Sequence, residues 1–213
     1  ATVVKMSVGN AGGCALDDEG QVWCWGLFFE VVGEKVIWTD GHDPFLLPFP
    51  GKGVDVDYDD WSLCIVTESG DVLCWGDNLF GQVAPSVGKG GKGFSAHQPE
   101  PTIGGEYVSI LGGGSRTCAI DIDQGVTCWG VATDGGLGIG GPVGYDSVNV
   151  KGGPVIDLPG VVEQLSVAFS HTCALLSTGD VYCWGGNHLS QCGWRSYSEG
   201  FTPVLWEGKP GVN

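Results

Sequence analysis

The segment CALDDEGQVWCWG, Cys14 to Gly26, sets two cysteines ten positions apart around a glycine, with Trp-Gly at its end. Leu16 and Val22 alternate with more polar neighbours, the two-residue period of a half-buried strand. Gly20 lies where a tight turn needs positive φ. Folding the segment about that turn sets Cys14 opposite Cys24 and Leu16 opposite Val22. Non-hydrogen-bonded antiparallel neighbours come within about 4.5 Å between Cα atoms, inside the reach of a disulfide.

The segment recurs as CIVTESGDVLCWG from Cys64, CAIDIDQGVTCWG from Cys118 and CALLSTGDVYCWG from Cys173. The starts lie about 50 to 55 residues apart, a blade-like period. A short apolar segment precedes each copy (VVKMSVG, VDVDYDD, YVSILGG, EQLSVAF), and a proline-bearing one follows (DPFLLPF, QPEPTI, GGPVIDLP, TPVLW). Gly70 and Gly179 repeat the turn position of Gly20, whereas Gly125 comes one position later, so the third copy is expected to turn differently. The repeats divide one domain, 1–213, into units of approximately 3–52, 53–106, 107–161 and 162–213.

Four repeated pairs read as four staples: Cys14–Cys24, Cys64–Cys74, Cys118–Cys128 and Cys173–Cys183. A redox pair is usually one C-x-x-C at a helix start. Zinc needs C-x₂₋₄-C spacings and a second half-site, which His42, His97, His171 and His188 do not provide in their separate repeats. Stapling of this kind belongs to an oxidising compartment, so the protein is expected to be extracellular or secreted. The ninth cysteine, Cys192, is either a free thiol filling an aliphatic place or a bond to another chain.

Composition agrees with strands and turns. The chain of 213 residues holds 39 glycines, which are costly inside helices. Its nine Lys and Arg stand against 25 Asp and Glu, a formal charge of −16 that suits neither nucleic acid nor anionic lipid. No run of 18 apolar residues offers a membrane helix, and no basic-then-apolar leader opens the chain, as expected of a mature form or a fragment.

The pattern C-A-L-x-x-x-G-x-V-x-C-W-G followed by N-x-x-G-Q resembles the RCC1-type repeat, named after the regulator of chromosome condensation. SHTCALLSTGDVYCWGGNHLSQCG and CWGDNLFGQ carry it most fully; the first and third copies keep the hairpin but lose the tail, so remodelled outer loops are expected there. The resemblance implies an all-β propeller of four-stranded blades, with Trp25, Trp75, Trp129 and Trp184 packing between blades. Related propellers reach seven blades. Four repeats leave a four-bladed ring, an arc of a larger propeller, or a part of an assembly. The family's activities include exchange on a small nuclear GTPase, which the cysteine pairs and the acidity oppose, and inhibition of secreted β-lactamases by face loops.

Catalytic signatures such as G-x-S-x-G, H-E-x-x-H or a P-loop are absent, and no enzymatic activity is expected. DVDYDD offers Asp55, Asp57 and Asp59 as weak calcium candidates. However, Trp61 stands where a calcium loop needs glycine, and strand alternation with Val56 and Tyr58 makes a solvated acidic edge the simpler reading. Function is expected on loops. These include the segment around Lys89 and Lys92 and the apolar loop LFFEVVGEKVIWTDGHD, whose Phe28, Phe29 and Trp38 make a candidate contact surface with Trp61, Trp194 and Trp206. The expected partner is another protein or copies of the same chain, bound for recognition or as a building block. Carbohydrate is the alternative ligand.

Overall fold

The computed structural model describes residues 1–32, 35–59, 62–78, 80–83, 106–114, 116–131, 135–138, 155–193 and 200–205, with backbone alone in 27–42 and 200–205. Four antiparallel sheets follow one another along the chain. The first comprises β1 (Val3–Val8), β2 (Gly12–Asp17), β3 (Val22–Val32) and β4 (Lys35–Leu46). The second comprises β5 (Gly53–Tyr58), β6 (Ser62–Thr67) and β7 (Val72–Gly76); the third, β8 (Tyr107–Gly113), β9 (Arg116–Asp121) and β10 (Val126–Gly130). The fourth contains β11 (Val162–Val167), β12 (His171–Leu176), β13 (Val181–Gly185) and β14 (Gly200–Leu205). Each sheet is an up-and-down meander, the form of a propeller blade.

The register follows the cysteines. Cys14 pairs with Cys24, Cys64 with Cys74, Cys118 with Cys128 and Cys173 with Cys183. The sulfur atoms are bonded in all four blades, with Cα atoms 4.0–4.2 Å apart. Outer segments carry proline, which cannot donate to a ladder and suits an edge. In the third blade this segment meets the sheet through one bridge, Ile156 N–H donating to the Val126 carbonyl at 2.7 Å.

The turns correct one expectation. Gly20, Gly70 and Gly179 take φ of 81°, 81° and 86°, and Gln124 takes 68° at the matching position of the third copy. All four turns close with the same backbone bonds, so the third copy keeps the common turn. Asp121 offsets the cost of a non-glycine residue in this conformation, its Oδ1 accepting from the N–H groups of Asp123 and Gly125 at 3.0 and 2.8 Å. Gly125 makes room for that carboxylate: a Cβ there would lie 2.6 Å from Asp121 Oδ2.

The first blade holds a second correction. The apolar stretch expected as a surface loop is paired strand, with Phe29 opposite Trp38, Phe28 opposite Thr39 and Val32 opposite Lys35. The physical reason is its composition: Val, Ile, Phe and Trp on both sides of Gly33-Glu34 favour continued pairing.

Blades stack in chain order, and the core lies in the three seams between them. In the first seam Cys14, Leu16, Val22, Cys24 and Leu47 meet Val56, Tyr58, Leu63, Ile65, Leu73 and Trp75. In the second, Cys64, Val66, Val72, Cys74 and Val83 meet Tyr107, Ile110, Ala119 and Trp129. In the third, Cys118, Ile120, Val126, Cys128 and Leu137 meet Val162, Leu165, Ala174 and Trp184. Each blade thus has a disulfide face and a tryptophan face, because alternate residues of a strand point to opposite sides. Among the described elements no comparable seam joins the fourth blade to the first.

Candidate functional site

The recurring site is a socket for a tryptophan. In the second blade, Asn78 Oδ1 accepts from the Val83 N–H at 3.0 Å, and Gln82 Oε1 accepts from the Phe80 N–H at 2.9 Å. Gly81 supplies the positive φ of 78° that lets this loop close. The fixed loop presents the Gln82 carbonyl to the next blade, where it accepts from Trp129 Nε1 at 2.8 Å and Thr117 Oγ1 at 3.0 Å. A buried indole N–H needs such a partner. In the third blade the Gly136 carbonyl accepts from Trp184 Nε1 at 3.1 Å.

The fourth blade builds the same loop. Asn187 Oδ1 accepts from the Cys192 N–H at 3.0 Å, Gln191 Oε1 from the Leu189 N–H at 2.8 Å, and Ser190 stands in for Gly81 with φ 59°. Cys192 occupies the place of Val83. Fully buried, it is a free thiol that donates to the Gly186 carbonyl at 3.4 Å, and burial pushes its pKa up to about 11. This is the small-hydrophobe role of a buried cysteine.

The acidic residues of β5 differ from the solvated edge expected of them. Asp55 is buried, forms an ion pair with Lys5 of the first blade, and accepts from Ser109 Oγ and the Ile110 N–H of the third at 2.8 and 3.0 Å. Asp57 accepts from Ser7 Oγ at 3.0 Å and from the Gly112 N–H at 2.6 Å. Burial pushes its carboxyl above the usual range, with Asp55 adding to the rise, against the opposing pull of Gly112, Ser7 and Lys5. Asp59 accepts from the Ser62 N–H at 2.6 Å and Ser62 Oγ at 3.1 Å. Two of the three calcium candidates, Asp55 and Asp57, therefore lace three blades together through their first strands, while Asp59 holds the β5–β6 turn of its own blade. Among the described residues no group of three His, Cys, Asp or Glu is placed to hold a metal. Sequence reasoning missed this ladder because its partners lie about 50 residues away; the polar residue at one strand position (Lys5, Asp55, Ser109, Gln164) was the available signal.

His171 lies half-buried at the start of β12, opposite Gly185. Burial, and then the charge of Arg116, lower its pKa below the usual 6.5. A base with a depressed folded-state pKa adds stability above its unfolded value and loses it as pH falls through the folded one. The His171 ring proton is expected to titrate below pH 6.5 by NMR, with unfolding free energy declining from about pH 6.5 downward. A titration at or above 6.5 refutes this assignment.

Of the candidate contact residues, Phe28, Phe29 and Trp38 share the β3–β4 hairpin, while Trp61, Trp194 and Trp206 lie outside the described residues, as do Lys89, Lys92 and His97. Trp75, Trp129 and Trp184 are buried in the seams, and Trp25 is only half-buried. No helix among the described residues is long and apolar enough to cross a membrane.

The model of the regulator of chromosome condensation (RCC1) repeat matches residues 3–28, 60–82 and 162–191. The chain is similar to the mitochondrial RCC1 domain-containing protein RUG3 of Arabidopsis thaliana, at 27% identity over 93% of this chain and 45% of that one. It is 26% identical to human E3 ubiquitin-protein ligase HERC2 over 97% of its own length and 4% of the ligase. It thus spans less than half the length of these relatives. Among solved structures it superposes on yeast RCC1 (Prp20) in complex with Kap60 with a TM-score of 0.78, at 19% identity, covering 98% of this chain and 50% of that one. Human WBSCR16 gives 0.72 and 19%, covering 97% and 53%. With its matched repeats, its sheets and the seams between them, the chain carries RCC1 repeats and has the fold of an RCC1-type β-propeller.

Proposed function

We propose that this protein is an extracellular, non-catalytic binding module that grips another protein through loops on one face of its blades. The observation that carries the reading is the buried disulfide in every blade, a set of bonds that persists in an oxidising compartment. Binding of proteins is supported by analogy with yeast RCC1, which has been described bound to Kap60 and in terms of its binding to Gsp1p and histones. The seams use up the tryptophans of blades two to four, and the ladder uses up the acidic strand. The surfaces we assign to a partner are the loops and the long β3–β4 hairpin of the first blade, which carries Phe28, Phe29 and Trp38. Carbohydrate binding and inhibition of a secreted enzyme are the competing uses of the same face.

The test is affinity capture from extracellular fluid on the immobilised, non-reduced chain, beside a variant carrying Phe28→Ser, Phe29→Ser and Trp38→Ser. A protein retained by the wild type and lost by the variant is the expected result. Retention of glycans without protein, or of a protein indifferent to the substitutions, overturns the loop assignment.

A further inference from the structure

The first strands of the first three blades meet through side chains that stand in for a neighbouring strand. Ser7 Oγ faces Tyr58 twice, accepting from its N–H at 3.0 Å and lying 3.2 Å from its carbonyl oxygen. The same hydroxyl lies 3.0 Å from Asp57 Oδ1. Asp57 Oδ2 in turn accepts from the Gly112 N–H of the third blade at 2.6 Å. Each of these contacts is complete within the chain, between two blades that are both in place. The serine is nevertheless one hydrogen short. A hydroxyl has one proton to give and two lone pairs to offer. The Tyr58 N–H uses one lone pair, and the single proton serves either Asp57 or the Tyr58 carbonyl. When the carboxyl brings its own proton, Asp57 Oδ1 donates to Ser7, Ser7 donates to Tyr58, and all three contacts are made without sharing.

Charge points the same way. Lys5 of β1, the cation that acts on Asp57 among the described residues, is already ion-paired with Asp55 of the same strand as Asp57. Asp59 brings a third carboxyl: its Oδ2 and that of Asp57 both lie against Gly112, where a Cβ would meet them at 3.2 and 3.0 Å. The other elements packed on β5 add no cation. β2 and β6 carry bonded cysteines and Asp17, whose carboxylate is held by its own turn. β8 carries Tyr107 at its far end, opposite Asp121. Three carboxyls thus crowd one lysine, and a proton on one of them relieves the like charges. Burial acts on Asp57 in the same direction.

We infer that Asp57 is a proton-operated lock between blades: with a proton, its carboxyl donates to Ser7 and ties the second blade to the first, and without one the tie loosens. The ionised carboxyl draws the serine proton to itself and away from the Tyr58 carbonyl, while the Gly112 N–H stays bound to Oδ2 in both states. An acid whose folded-state pKa is raised adds stability that is full below its unfolded value, here 3.8, and is lost as pH rises through the folded one. The sign is opposite to that of His171, so acid tightens the first seam while it charges His171.

The experiment is urea unfolding of the whole, non-reduced chain and of its Asp57→Asn variant from about pH 3 to 8. The amide reproduces the protonated arrangement, its N–H donating to Ser7 and its oxygen accepting from Gly112, but it does not titrate. His171 and the remaining groups titrate alike in both proteins, so their ratio isolates Asp57. The unfolding constant of the wild type relative to the variant is expected to rise with pH, by about tenfold for each pH unit that separates the folded from the unfolded pKa of Asp57. A ratio that stays flat or falls with rising pH overturns the inference. The carboxyl carbon resonance of Asp57 in the wild type needs no variant: a titration midpoint above 3.8 is expected, and one at or below it overturns the lock.

Discussion

Trp184→Ala is expected to lower the free energy of unfolding by about 4 kcal/mol, among the largest effects of any single substitution in this chain. Trp184 is fully buried, packs on Cys118, Cys128 and Val126 of the preceding blade, and donates its indole N–H to Gly136. Removing it leaves a cavity in the third seam and a buried carbonyl without its donor. Gly138 packs so closely on the ring that a Cβ there would come within 2.8 Å of the indole nitrogen, so this loop loses its packing partner as well. Trp25→Ala is expected to cost less than about 1.5 kcal/mol, since half-burial removes less apolar area from water. Urea midpoints of the two variants make the comparison. Equal losses would show that the first blade is covered much as the fourth is.

Reduction is expected to have the larger aggregate effect. Each disulfide closes a ten-residue separation, which in the chain-entropy account is worth about 2.7 kcal/mol. The four lie in different blades, so their contributions should add to roughly 11 kcal/mol, comparable with the whole stability of an ordinary domain. The fully reduced chain is therefore expected to be unfolded at 37 °C, while Cys118→Ala with Cys128→Ala lowers stability without abolishing folding. Tryptophan fluorescence of protein refolded with and without reductant reads the difference. A reduced chain that melts within a few degrees of the oxidised one would refute the claim that the staples hold the blades.

Several features were legible from the residues because they depend on neighbours close in sequence. The hairpin register, the cysteine pairs and the positive φ at Gly20, Gly70 and Gly179 follow from alternation about one turn. The packing role of Trp75, Trp129 and Trp184 followed from the resemblance of their repeat. Gln124 defeated the rule that a shifted glycine means a shifted turn, since one aspartate side chain can stabilise the left-handed conformation. The first-blade hairpin was misread because absence of the N-x-x-G-Q tail says only that one loop is gone, not what replaces it.

The sequence by itself determined the periodic unit, its strands and its staples, all set by the alternation of side chains along a strand and the short span of a hairpin. Only the tertiary structure decided that Asp55 and Asp57 tie three blades together and that Cys192 fills an aliphatic place. The aspartate ties depend on which residues meet across a seam some fifty positions away, and the cysteine on how its loop closes within the blade. A repeat sequence assigns the same faces to every blade; burial of a face requires a neighbour, and the first and fourth blades each lack one among the described residues.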